Sequence, residues 1–160
     1  MKRTRSITRA ALIAALYAGL TLAVNFTPLG ALQYGAVQFR VSEALTVLPA
    51  LTSAAVPGLF VGCLVSNLFG MGAWDIVLGS LATLLAAWLS RKLRRHPWLV
   101  PLPPILVNAA VIGGMLYFLG AADGTLWASM LTVGAGQAAV CYGLGMPLMR
   151  ICRRLLPPEG

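Results

Sequence analysis

Five stretches of this chain carry no charge at all: 10–39, 44–74, 76–90, 96–122 and 124–149. Between and beside them stand three basic clusters: Lys2, Arg3, Arg5 and Arg9; Arg91, Lys92, Arg94 and Arg95; Arg150, Arg153 and Arg154. They hold all but one of the 12 lysines and arginines, Arg40 being the exception. A soluble domain draws about a quarter of its residues from the charged set. Here the share is 10%, against 59% hydrophobic. Uncharged runs of this length call for lipid as their solvent, and basic clusters at their ends mark cytoplasmic loops. An ordinary soluble enzyme, a disordered chain and a disulfide scaffold are excluded. The net charge of +8 is read as membrane topology, not as a footprint for nucleic acid.

Charge parity sets the number of crossings. If the three clusters share one side, an even number of spans separates each from the next. Helices near 99–119 and 125–149 fill the second interval, joined by a polar turn at Asp123 and Gly124. Spans near 8–26 and 73–90 bound the first interval and leave 41–71 between them. One helix over 41–71 would run to about 46 Å, too long for one crossing. Pro49 and the Pro57-Gly58 pair divide it into two short helices, near 41–54 and 57–70, turning between Ser53 and Pro57. The expected fold is all-α: one integral membrane bundle of six transmembrane helices over 1–160. Both termini are cytoplasmic, with short basic tails at 1–8 and 150–160, and the membrane is the cell membrane. The charged-then-apolar N-terminus is read as an uncleaved first span. Short, Pro/Gly-interrupted segments often line a binding cavity.

That topology sorts the polar residues by depth. The loop Thr27–Phe39, with Gln33, Tyr34 and Gln38, lies outside, and matters to function only if it folds over a ligand. Arg40 and Glu43 open the second helix three residues apart, where they share a face and can pair. Ionisable groups at membrane depth mark a functional site by default, with a structural ion pair as the plain reading. Asp75 serves equally as a site carboxylate or as a helix cap. Asn67, Asn108 and Gln137 each suit interhelical hydrogen bonding, yet several converging amides also suit a small heterocycle. Trp74, Trp127 and Tyr142 are anchors or core first and stacking platforms second. On the first helix Ala10, Ala14 and Ala18 repeat every four residues, as do Ala11, Ala15 and Gly19. One ridge is explained by packing inside the bundle; two adjacent ridges make a wide flat face that suits an external membrane partner.

Catalytic material is scarce. Cys63, Cys141 and Cys152 lack metal spacing, and His96 stands alone in a basic loop. No phosphate-binding loop, zinc-protease helix or nucleophile elbow occurs. Four carboxylates and one histidine leave little for acid–base work. Neither an enzyme nor a metal or cofactor site is expected, and ATP hydrolysis would need another subunit.

Several blocks of the sequence are familiar. QYGAVQFRVSEALTVLP at 33–49, PGLFVGCLVSNL at 57–68 and DIVLGSLATLLAA at 75–87 resemble the QueT family. So do PLPPILVNAAVIGG at 101–114 and GAGQAAVCYGLGMPL at 134–148. The resemblance implies a substrate-binding S component of an energy-coupling-factor (ECF) importer for queuosine precursors. It further implies six helices, a transmembrane scaffold partner with two ATPase subunits, and docking through the alanine-rich face of the first helix, with the Ala10, Ala14 and Ala18 ridge foremost and Ala11 and Ala15 beside it. A 7-deazaguanine presents an N–H and an amine side by side, which one carboxylate accepts together. Its carbonyl needs a donor and its flat face an aromatic. Glu43, Asp75, Asn67, Asn108, Gln137 and Trp74 supply those types. At Gln137 the chain departs from the glutamate that often follows the glycine of the last block. An amide still bonds a purine-like ring but offers no charged bidentate acceptor. The competing reading is a stand-alone proton-coupled carrier using Glu43 or Asp75. An S component for another vitamin-like molecule is a further alternative, and an intramembrane enzyme stands further off.

Overall fold

The computed structural model describes residues 2–33, 38–69, 73–121 and 124–155. Among these the chain is helical throughout, with six α-helices and no strand. Helix α1 is Lys2–Asn25 and α2 is Ala55–Leu68. A π turn, Asp75–Gly79, leads into α3, Ser80–Lys92. Helix α4 is Leu102–Phe118. Helix α5, Leu126–Val140, continues through a second π turn, Cys141–Gly145, into α6, Met146–Leu155. The last two helices are therefore one broken rod. Two helical stretches, Arg3–Asn25 and Pro97–Phe118, are long and apolar enough to cross a bilayer, and Val41–Ala50 and Ala55–Leu68 are shorter apolar helices.

The segment expected as a short α-helix over 41–54 is instead a 3₁₀ helix, Val41–Ala50, with Pro49 inside it. A 3₁₀ helix rises about 2.0 Å per residue against 1.5 Å for an α-helix, so ten residues reach roughly 20 Å. Its threefold repeat also aims three distinct faces at different neighbours. Ser42 meets Thr21 of α1, with Oγ atoms 2.7 Å apart. Val47 and Ala44 pack on Gly145 of the second π turn, where an added Cβ would lie 2.9 Å from Val47 Cγ1. Glu43 reaches α1, α4 and α5 together. All residues from Ser42 to Ala50 are buried, so this segment is the spine of the molecule. The turn after it falls slightly earlier than expected, at 51–54, and places Pro57 in the first turn of α2. Proline is tolerated there because a first-turn N–H has no intrahelical acceptor.

Close backbone approach joins α1 to α2. A Cβ on Gly58 would stand 2.7 Å from the Ala10 carbonyl oxygen, and one on Gly62 2.8 Å from that of Ala14. Helices α4 and α5 meet as closely: a Cβ on Gly113 would lie 2.7 Å from Met130 Cα, and Ser129 Oγ donates to the Gly113 carbonyl at 2.7 Å. Gly120, at φ 66°, ends α4 in a left-handed turn. There Ala121 N–H reaches back to the Leu116 carbonyl at 2.9 Å, satisfying an otherwise unpaired helix-end acceptor. Thr125 Oγ1 then caps α5 by accepting from Ala128 N–H.

The three basic clusters gather at one end of the bundle. Arg91 donates to the Pro49 carbonyl at 3.0 Å. Arg150 lies over the Trp98 ring, just beyond the 91–95 cluster. Arg9 and Cys152, from opposite ends of the chain, line one apolar cavity of about 280 Å³. Near this end sits the larger hydrophobic core, including Leu48, Leu51, Leu59, Val100 and Met149.

Candidate functional site

Glu43 is the only carboxylate fully inside the described bundle, with 1% of its surface exposed. Its place near the start of the 3₁₀ helix, third from Arg40, aims the side chain into the space between α1, α4 and α5. Tyr17 Oη donates to Oε1. Gln137 Nε2 donates to Oε2 at 2.9 Å, and Asn108 Nδ2 approaches the same oxygen at 3.5 Å. Donors from three helices thus converge on one carboxylate. A buried carboxyl group left without partners is costly, and these three donors offset part of that desolvation. Thr46 Oγ1 donates to the Glu43 carbonyl at 2.6 Å and touches Cys141 Sγ at 3.6 Å, fixing the same turn against the π turn of the last rod.

A second polar group sits beside α2. Arg40 Nη2 donates to Asn67 Oδ1 at 2.8 Å, and Asn67 Nδ2 donates to the backbone carbonyl of Asp75 at 2.9 Å. Arg40 and Asn67 are both buried, while Asp75 is half-buried. Arg40 precedes the 3₁₀ helix in extended backbone, so the two side chains turn to different neighbours: Arg40 to α2, Glu43 to α1, α4 and α5. Asn67 links Arg40 to the first π turn and also lies 3.1 Å from the position of a Cβ on Gly79. A side chain at position 79 would press on that amide.

The remaining sequence-chosen residues scatter. Gln38 is buried, and Gln33 donates to the Thr21 carbonyl at 3.1 Å. Tyr34 lies outside the described residues, as does Asp123. Trp74 is 59% exposed and borders a shallow apolar concavity of about 340 Å³ with Leu78, Met115 and Phe118. Ala10 and Ala14 turn toward α2 and Ala18 is buried, whereas Ala11, Ala15 and Gly19 are exposed on the outer face of α1. The ridge Ala10, Ala14 and Ala18, expected to meet an outside partner, is thus corrected to an inner face set by the close approach of α2, and the other ridge is the one left outward.

Tyr17 and Thr21 are site residues that sequence reasoning passed over. The signal was present: positions 10, 14, 17, 18 and 21 form one helical stripe. The inner alanine ridge thus runs straight into a phenol and a hydroxyl, and a buried phenol requires a partner.

The sequence profile of the QueT transporter family matches residues 7–154. The chain belongs to that family. Along 83 residues, 51% of the chain and 47% of the relative, it is 37% identical to the "Queuosine precursor transporter QueT" of Lactococcus lactis subsp. cremoris (strain MG1363). The match therefore spans about half of that relative's length. No solved structure matches the chain. The family is one of transporters, and the apolar helices are those of a membrane protein. Within it, the Glu43 cluster is drawn from the 33–49, 101–114 and 134–148 blocks together with α1.

Proposed function

We propose that this chain is the membrane-embedded substrate-binding subunit of an ECF-type importer, taking up a queuosine precursor of the 7-deazaguanine class. The reading rests above all on Glu43, a buried carboxylate to which the side chains of Tyr17, Asn108 and Gln137 donate, donors that a ligand can replace. A 7-deazaguanine offers an N–H and an amine at the spacing of one carboxylate, so it substitutes for Tyr17 and the amides. Asn108 and Gln137, released from Glu43, then donate to the ring carbonyl. Arg40, Asn67 and Asp75 form the neighbouring wall, with Trp74 and Gln38 toward the mouth of the site.

Six crossings with both ends cytoplasmic fit the gathering of the basic clusters at one end. The 3₁₀ helix and α2 are the two short crossings. The scaffold and two ATPase subunits supply the energy, and the exposed Ala11–Ala15 ridge of α1 is the docking face. A stand-alone proton-coupled carrier is the alternative.

Binding of a 7-deazaguanine base to the purified chain, followed by calorimetry, tests the reading directly. Glu43→Gln should weaken that binding while leaving the helical fold intact. Loss of one hydrogen bond to a charged group is worth about 1.5–3 kcal/mol, or roughly 10- to 150-fold in Kd. An unchanged Kd would reduce Glu43 to a structural role. Proton-driven uptake by the chain alone in liposomes would favour the carrier.

A further inference from the structure

The positive-inside bias accounts for how many cations lie between α3 and α4, but not for how they are arranged. Arg91, Lys92, Arg94 and Arg95 do not splay apart. With Trp88 they line one concavity of about 500 Å³. Lys92 Nζ sits 3.7 Å above the centre of the Trp88 ring, a cation–π contact that holds the ammonium at the rim. Lys92 also borders a second concavity of about 420 Å³, lined otherwise by Leu89 and Leu93 of the α3 end and Leu102, Pro103, Leu106 and Val107 of α4. A basic cup and an apolar groove thus share one lysine. The groove runs along helix surface that faces lipid in the membrane reading, with Leu106 largely exposed.

We propose that this paired feature binds an anionic phospholipid, its phosphate in the basic cup and one acyl chain along the groove. Opposite charge selects the headgroup. Apolar lining selects a molecule carrying hydrocarbon over a free phosphate ion. Basic pockets between membrane helices at the cytoplasmic surface are suited to such headgroups. The proposal needs membrane insertion but is independent of the transported substrate. Arg91 also supports the Pro49 carbonyl, so the lipid would tie the end of the 3₁₀ spine to the membrane surface.

Native mass spectrometry of the full chain in detergent, titrated with phosphatidylglycerol, phosphatidylcholine or inorganic phosphate, tests this. Phosphatidylglycerol should be retained at concentrations about 25-fold below phosphatidylcholine, from roughly fivefold for each of two cations engaged. Lys92→Gln with Arg95→Gln should erase that preference, and Leu106→Trp, which fills the groove, should weaken retention of both lipids. Arg3→Gln with Arg5→Gln removes equal charge elsewhere and should change nothing. The proposal falls if the two lipids are retained equally or if the Arg3/Arg5 control loses as much. It also falls if Leu106→Trp has no effect or inorganic phosphate fully displaces the lipid. Helix content by circular dichroism checks each variant, and the lipid preference of the unaltered chain decides if one misfolds.

Discussion

At residue scale the chemistry depends on which donors hold Glu43. Tyr17 is buried and bonded to Oε1. Tyr17→Phe removes that donor, so the ligand-free chain should lose about 1–3 kcal/mol of stability. Because Oε1 then lies open to the ligand's own donors, the rise in Tm on adding a 7-deazaguanine should exceed that of the parent chain. Equal melting temperatures without ligand would mean that the phenol does not support the carboxylate. Gln137→Glu tests the departure from the family pattern. It exchanges the amide that donates to Glu43 at 2.9 Å for a second carboxylate. The exchange removes a donor to Oε2 and leaves two acceptors facing each other. The variant should therefore melt lower than the parent. A cationic 7-aminomethyl ligand should restore part of the loss. An unchanged melting temperature would show that the two side chains do not meet.

At element scale, α1 presents two faces with opposite tasks. Its inner stripe packs so closely on Gly58 and Gly62 that backbone atoms of Ala10 and Ala14 set the distance. Overpacking such a contact costs about 1–3 kcal/mol, so Ala14→Leu should lower Tm and reduce ligand binding along with folding. Ala11→Leu lies on the exposed face, among Ile7, Leu12 and Leu16. This variant should fold and bind ligand normally but fail to co-purify with scaffold and ATPase subunits. Normal assembly by Ala11→Leu, or lost assembly by a folded Ala14→Leu, would move the docking face elsewhere. The 3₁₀ helix shows the same division of labour on a smaller scale. Three faces of one ten-residue segment meet α1, the α4–α5 pair and the second π turn.

For the whole molecule, the gathering of basic clusters at one end makes topology testable. In a chain whose native Cys152 is replaced by serine, Phe26→Cys and Arg95→Cys place thiols at opposite ends. Phe26 is 86% exposed and Arg95 is also exposed. A membrane-impermeant maleimide applied to intact cells should label position 26 and not 95. The reverse pattern would invert the bundle, and labelling of both would break the parity of the crossings.

Membrane residence and the succession of helical segments were legible in the sequence. Transfer of side chains to lipid is nearly additive along the chain, and charges, prolines and glycines act locally. Glu43, Asn108 and Gln137 were legible as polar residues too deep to be idle, and the structure brings them together. Other features depended on neighbours far away in sequence. Residues 41–50 became a 3₁₀ helix in surroundings that bury it on every side, an outcome that local propensity does not encode. Tyr17 became a partner of Glu43 across 26 positions of sequence. The alanine ridges, alike in composition, were told apart only by where α2 lies. Periodicity places side chains on a common stripe of a helix; what that stripe faces is settled by the packing of the other helices around it.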